Sequence, residues 1–323
     1  MPRIVVTGGA GYIGSHTVLQ LIDQGYDVTV VDSLARGYRD AIDPSILREV
    51  DLHDTKGLVR VFEEKPCDAV IHFAAFIAVG ESMMYPEIYF DNNVAGSLSL
   101  FTAMVRTGVK YAVFSSTAAV YGMPESSPIR EDFPYAPINP YGESKVMTEK
   151  ILGWFDQLHG MRSICLRYFN ASGADPLGRA GERHDPETHL IPLLFRAIQT
   201  GEPVTVFGED YPTPDGTCIR DYIHVTDLAQ AHILSVEALM AGAPSNRFNV
   251  GTGSGFSVRE VLQAVERVTG KKVPYKVGPR REGDPPALVA DSAKLKTTLG
   301  WLHKYADLET IVKHAWAFTS GPR

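Results

Sequence analysis

Cysteine is scarce. The 323 residues hold three, Cys67, Cys165 and Cys218, odd in number and far apart. They offer no disulfide framework and no C-x-x-C pair for zinc, and they fit a reducing compartment, so cytoplasm is the expected setting. Long apolar runs are lacking too. The longest, Ala69 to Val79, includes His72 and falls short of the roughly 20 residues a membrane helix needs. The run at Ile4-Val5-Val6 is too short for a signal peptide. Positive charge is in deficit: 31 Lys and Arg against 38 Asp and Glu leave a formal net charge of −7. A nucleic-acid partner and an anionic membrane surface are therefore not expected. Internal repeats and low-complexity linkers are missing as well.

What is present is core material. Hydrophobic residues make up 44% against 21% charged, enough to exclude intrinsic disorder, and the length allows about two domains. The first half alternates short β-rich runs with helical spacing. Strands are predicted at Ile4–Val6, Val28–Asp32, Leu47–Leu52, Ala69–Phe73, Ala112–Ser115 and Ile164–Tyr168. Helices are predicted over 12–24, 54–64, 86–106 and 140–159. Continuous apolar strands separated by helices mean a parallel sheet covered on both faces. The fold class is therefore α/β: a doubly wound (Rossmann) parallel sheet with a smaller C-terminal α/β substrate lobe. The first domain is set at residues 1–170 and the lobe at 171–323, with the chain returning to the sheet around 223–250. In the lobe, helix is predicted over 190–199, strand at Val204–Phe207, and strand entries at Ile223-His224-Val225 and Phe248-Asn249-Val250. Ser257 with Glu260 forms a capping-box pattern that opens another helix.

Gly8, Gly11 and Gly14, with Tyr12 and Ile13 between them, follow the first strand and open the first helix. Glycines there let the backbone turn tightly and approach a pyrophosphate at the helix N-terminus. Asp32 ends the second strand 18 residues after Gly14, near the spacing of a ribose-binding acid. Its charge would repel a 2′-phosphate, favouring NAD over NADP, although Arg36 and Arg39 stand nearby. A second cluster, Gly251-Thr252-Gly253-Ser254-Gly255, lacks a matching acid beyond it and reads as a loop.

Asn139-Pro140 is a helix start, so Tyr141 and Lys145 share one helical face. A nearby ammonium is expected to pull the phenol below its usual value of about 10 and make it a usable base. Ser115-Ser116-Thr117 ends a predicted parallel strand, where such sheets put their ligands.

With these residues in place, the chain resembles the extended short-chain dehydrogenases/reductases. The resemblance rests on Gly8 to Gly14, His72-Phe73-Ala74-Ala75, Ser115 to Gly122, Tyr141 with Lys145, and Arg167-Tyr168-Phe169-Asn170. More narrowly it resembles the UDP-glucose (UDP-galactose) 4-epimerase family. That match is carried by Ala78 to Ser82, Asp91 to Val94, Asp210 to Thr213, Arg220 to Val225 and Arg280-Arg281-Glu282-Gly283-Asp284. The resemblance implies that Tyr141 takes the sugar 4-hydroxyl proton, Lys145 holds the nicotinamide ribose and Thr117 binds the 4-oxygen. It implies a tightly held NAD, with Asp51 and Leu52 by the adenine. Phe73, Ala74, Ala75, Asn92, Ser115 and Tyr168 would line the rest of the cofactor site. For the UDP-sugar it implies Phe169, Asn170, His189, Leu190, Phe207, Arg220, Tyr222, Arg281, Asp284 and Leu288, and it implies a homodimer through the helices at 86–106 and 140–159.

Ile77 stands where the family commonly has a lysine, and His189 where it often has asparagine. Leu288 stands where a tyrosine restricts some members to unacetylated sugars, which opens the site to UDP-N-acetylhexosamines. An epimerase of another UDP-sugar, a pentose or uronate, would use the same residues. A nucleotide-sugar dehydratase needs an acid after the strand-end threonine, where Ala118 and Ala119 stand. A non-catalytic NAD-binding sensor would have little reason to keep the whole constellation. His184 with His189 hints at a metal, but the intervening Asp185 to Thr188 reads as an ordinary loop, and no metal is expected.

Overall fold

The computed structural model describes residues 1–281 and 283–321. Six strands come first: β1 (Arg3–Thr7), β2 (Asp27–Asp32), β3 (Leu47–Glu49), β4 (Ala69–His72), β5 (Tyr111–Thr117) and β6 (Arg162–Tyr168). Then follow β7 (Asn170–Ser172), β8 (Val204–Phe207), β9 (Ile219–His224), β10 (Asn246–Val250), β11 (Gly255–Ser257), β12 (Tyr275–Gly278) and β13 (Ala287–Leu288). Seven of them form one all-parallel sheet in the order β10-β6-β5-β4-β1-β2-β3.

Strand alternation explains why both faces are covered. Ile4 and Val6 of β1, Ala69 and Ile71 of β4, and Ile164 and Leu166 of β6 enter one core. Their neighbours Val5, Val70 and Cys165 enter the other. On the first face lie α1 (Tyr12–Asp23) and, later in the chain, α8 (Val225–Met240); on the second lie α2 (Thr55–Glu64), α5 (Gly96–Thr107) and α6 (Pro140–His159). The helix predicted over 86–106 is interrupted. After α3 (Val79–Met84), α4 (Pro86–Tyr89) gives way to one π turn, Phe90–Ala95, and then to α5 (Gly96–Thr107). The wider turn aims Asn93 at the loop after β4, where its amide accepts from Phe76 N–H (2.8 Å) and donates to Phe76 O (3.0 Å). Asn139 caps α6 (Pro140–His159), its Oδ1 accepting from Gly142 N–H at 2.8 Å with Pro140 at the first turn.

The later helices are α7 (Leu190–Thr200), α8 (Val225–Met240), α9 (Val258–Thr269), α10 (Ala293–Leu299) and α11 (Leu308–Ser320). Leu194, Phe195, Val261, Val265, Ile311 and Val312 form a separate core where α7, α9 and α11 meet. The Ser257–Glu260 capping box opens α9. One expected strand entry is met outside the large sheet. Ile223 and His224 do not enter the large sheet; they end β9, which pairs with β7, β11 and β13 in a second sheet. The chain returns to the large sheet through α8, packed against α1, and through β10 beside β6. Apolar spacing marks a strand but does not name its partner. No helix of the described residues is long and apolar enough to cross a membrane.

Candidate active site

The strand order turns at β1, which has β2 on one side and β4 on the other; such a switch point is where open sheets take ligands. Gly8 there has φ +70°, and a Cβ on it would lie 2.5 Å from Ala74 N. A Cβ on Gly14 would lie 2.2 Å from Gly8 O. Only glycine lets α1 sit this close to the turn. Helix α1 starts at Gly11 with no capping side chain and no acid in its first turn, so its free N–H groups offer a seat for an anion. Asp32 is buried, and its two oxygens accept from Ala10 N–H (3.0 Å) and Leu34 N–H (2.8 Å). Burial raises its pKa, and those two N–H groups oppose the rise. Each oxygen keeps a lone pair for a ribose hydroxyl. Arg36 pairs with Glu81 at 2.8 Å and Arg39 pairs with Glu49, so both nearby cations are already engaged. These residues fit NAD.

Around this crevice, Phe73 N–H donates to Thr7 O at 2.9 Å, and Ala74 and Ala75 continue the loop. Asn92 donates to Asn93 Oδ1 at 2.9 Å. Asp51 is exposed and accepts from His53 N–H at 2.8 Å, while Leu52 is buried. Ile77 is exposed, one residue beyond Phe76, and the Arg36 guanidinium lies 4.9 Å over the Phe76 ring. Tyr12 Oη donates to Gly173 O at 2.7 Å, tying the first turn of α1 to the chain beyond β7.

Beside it, β5 and β6 set Thr117 opposite Tyr168, and Ser115 hydrogen-bonds the Tyr168 hydroxyl. One turn of α6 places Tyr141 and Lys145 over this strand end. Lys145 Nζ donates to Ser115 O at 2.9 Å and lies 5.9 Å from the Tyr141 ring centroid. Burial pulls Lys145 down to about 7, with Glu149 pushing back. Tyr141 differs from the expectation: burial raises its pKa, and the Thr117 hydroxyl opposes the rise. The ammonium is tied to the Ser115 carbonyl and does not offset the desolvation of the phenol. Thr117 Oγ1 accepts from Ala119 N–H at 3.1 Å, so its own proton is free to donate elsewhere.

Several supporting residues escaped the sequence reading. Glu149, almost fully buried, accepts from Ser116 (2.5 Å), Tyr135 (2.7 Å) and the Nε–Nη2 edge of the buried Arg167 (2.9 and 2.7 Å). Its position one turn beyond Lys145 was the available signal. Asn93 Nδ2 also donates to Ser144 Oγ at 3.1 Å, tying α6 to the loop after β4.

The second sheet gathers much of the expected substrate end. Register puts Asn170 opposite Tyr222 and Leu288 opposite Arg220. Arg220 is paired with Asp284, itself an expected contact, and donates to Pro285 O at 3.0 Å. Arg281 lies 4.1 Å over the Phe207 ring; Glu282 of the same motif lies outside the described residues. Phe169 and Leu288 pack against Ala118, Val120 and Tyr121, just beyond Thr117. The loop at Gly251–Gly255 serves a different purpose from phosphate binding. Buried Asp221 takes its Thr252 N–H (2.9 Å), Thr252 hydroxyl (2.7 Å) and Gly253 N–H (3.1 Å). Leu190 opens α7 after the cap residue His189. His189, an expected substrate contact, has its Nδ1 2.9 Å from Glu182 and 3.0 Å from Glu187.

Comparison with known proteins agrees with this geometry. The family described as the NAD dependent epimerase/dehydratase family matches residues 4–251. A UDP-glucose 4-epimerase of Halalkalibacterium halodurans is 51% identical, over 97% of this chain and 94% of that one. The crystal structure of UDP-glucose 4-epimerase from Brucella ovis in complex with NAD superposes with a TM-score of 0.96, at 47% identity and 98% coverage of both chains. The enzyme from Bifidobacterium longum in complex with NAD+ and UDP gives 0.91 at 37% identity, again with 98% coverage of both chains. The chain therefore belongs to the NAD dependent epimerase/dehydratase family and, within it, to the UDP-glucose 4-epimerases.

Proposed function

We propose that the protein interconverts UDP-glucose and UDP-galactose, with residues 1–170 holding NAD and the lobe from 171 holding UDP. The observation that carries this is the meeting of Thr117, Tyr141 and Lys145 at one strand end beside the uncapped start of α1. Tyr141 acts as the phenolate: once its own proton has left, it takes the proton of the sugar 4-hydroxyl as the sugar's C4 hydrogen leaves as hydride. Thr117 donates to the 4-oxygen and holds it against the phenol. Lys145, when protonated, puts a positive charge beside the reacting centre, and it sets the ribose. NAD, held by the glycine turn and Asp32, would supply the hydride acceptor and donor at C4. The 4-keto sugar turns about its diphosphate linkage and offers its other face; Tyr141 then gives back the proton, inverting C4 with no net oxidation.

Arg281, with Arg220 once released from Asp284, suits the diphosphate, because each guanidinium offers a planar fork of donors. Asn170, Leu190, Phe207 and Tyr222 would line the nucleoside. Leu288 and Phe169, packed beside Ala118, would form the sugar wall. Leucine there leaves room for an N-acetyl group, so UDP-N-acetylgalactosamine is a second substrate. A second copy of the chain is the partner, seated on the exposed Met83, Met84, Leu98, Trp154 and Leu158. The three unpaired thiols fit a cytoplasmic setting.

A coupled assay with UDP-galactose tests the reading. Wild type should turn over, and Tyr141→Phe should fall by about 10²-fold or more while still binding NAD. Turnover unchanged by Tyr141→Phe would overturn the assignment of the base. Leu288→Tyr should lose UDP-N-acetylgalactosamine turnover and keep UDP-galactose; a wild type inert on the acetylated sugar would remove the second substrate.

A further inference from the structure

Outside the reacting centre, one cluster is unaccounted for by epimerisation. The segment after β7 folds back on itself and gathers Glu182, His184, Glu187 and His189, their ligand atoms all within 4.8 Å of one another. We propose that these four side chains form a binding site for one divalent transition cation of the Zn2+ class. The sequence expectation of no metal treated residues 185–188 as a spacer; the structure turns that spacer into the bend that closes the site.

The distances suit an ion. Glu182 Oε1 lies 2.9 Å from His189 Nδ1 and 3.3 Å from His184 Nδ1. Glu187 Oε1 lies 3.0 Å from His189 Nδ1, and its Oε2 lies 3.5 Å from His184 Nδ1. Ligands about 2.0–2.1 Å from a tetrahedral ion stand roughly 3.3–3.4 Å apart; these nearest-atom separations lie near that edge, and the four ligand atoms, all within 4.8 Å of one another, would draw in around the ion. Hydrogen bonding explains only part of the arrangement: Glu187 Oε1 pairs with His189 Nδ1 at 3.0 Å. The Glu182 side chain is only 7% exposed, yet its Oε1, though 2.9 Å from His189 Nδ1, makes no well-aligned hydrogen bond, and neither does His184 Nδ1. A buried carboxylate oxygen left unpaired is costly, and a shared cation satisfies both orphans at once. An outer layer is built as well. Thr188 N–H (2.7 Å) and His189 N–H (2.8 Å) hold Glu187 Oε1 and so orient the carboxylate. Two imidazoles and two carboxylates suit a borderline ion such as Zn2+, and four protein ligands make the site structural and closed.

Its place in the fold gives it a task. His184 packs edge-on against Tyr12 in the first turn of α1 (6.1 Å between centroids), and His189 is the cap residue of α7. Arg183, between two ligands, pairs with Asp40 at 2.8 Å. The ion would brace the lobe against the nucleotide loop.

The test uses tag-free full-length protein loaded with Zn2+ and dialysed into metal-free buffer. About one Zn2+ per chain should remain by elemental analysis, and the ion should raise Tm. Co2+ in its place should give visible bands of a four-coordinate ion. In His184→Ala and in the milder Glu187→Gln, chelator competition should show affinity at least tenfold weaker, with the Tm gain lost. No retained metal and no Tm shift in wild type would overturn the proposal, leaving only paired histidines and glutamates. Retention equal to wild type in both variants would overturn it too.

Discussion

Lys145 is held where its own charge is disfavoured: it is 2% exposed, and burial brings it to about 7. Its value in the unfolded chain is about 10.4. Between those values the unfolded chain binds more protons than the folded one, so this residue makes stability rise with pH across that window. Lys145→Met should remove that part of the slope. The cofactor-free variant should be at least as stable as wild type at pH 7 by calorimetry, while epimerisation falls by about 10²-fold or more. A lysine kept at such a cost is there for chemistry. Tyr141 argues the same way, since its buried phenol resists ionisation, and the lysine charge is worth most in a water-poor site.

At the level of elements, the first turn of α1 works because nothing but backbone fills it. A methyl at position 14 would meet Gly8 O at 2.2 Å. Gly14→Ala should therefore push α1 from the turn and cost about 1–3 kcal/mol by overpacking. Melting temperature should drop by several degrees, and retained NAD, read by absorbance after gel filtration, should fall more than tenfold. Helix α6 carries the opposite load, with chemistry at its start and an apolar surface at its end. Trp154 and Leu158 are 61% and 68% exposed, which is costly for a monomer. Trp154→Glu should convert a dimer to a monomer by light scattering.

Across the whole molecule, buried histidines set the acid limit. His72 lies between Thr7 (2.7 Å) and Ser97 (2.8 Å). Burial lowers His72 and His224 to about 3 and His232 to about 4. In the unfolded chain each takes its proton near 6.5. Below that pH the unfolded state binds more protons, so these three make stability fall as acid is added. Each contributes up to roughly 1.4 kcal/mol per pH unit between its two values. Denaturant midpoints should drop steeply between pH 6 and 4, and His232→Asn should flatten the drop.

Much of the site was legible in the sequence because its chemistry is local. A strand, a glycine turn and a helix start lie within Arg3–Gly14, and Tyr141 and Lys145 lie one turn apart on α6. Asn139 and Ser257 announced their helices because a cap needs only the next turn of the same chain. Tertiary packing decided what depends on distant segments. It placed β9 in the second sheet, set Glu149 against Arg167, engaged Arg220 with Asp284 and folded 182–189 into a cluster. It also raised the Tyr141 value that helix spacing alone would lower, because desolvation is set by everything packed around a side chain and not by its neighbours in sequence.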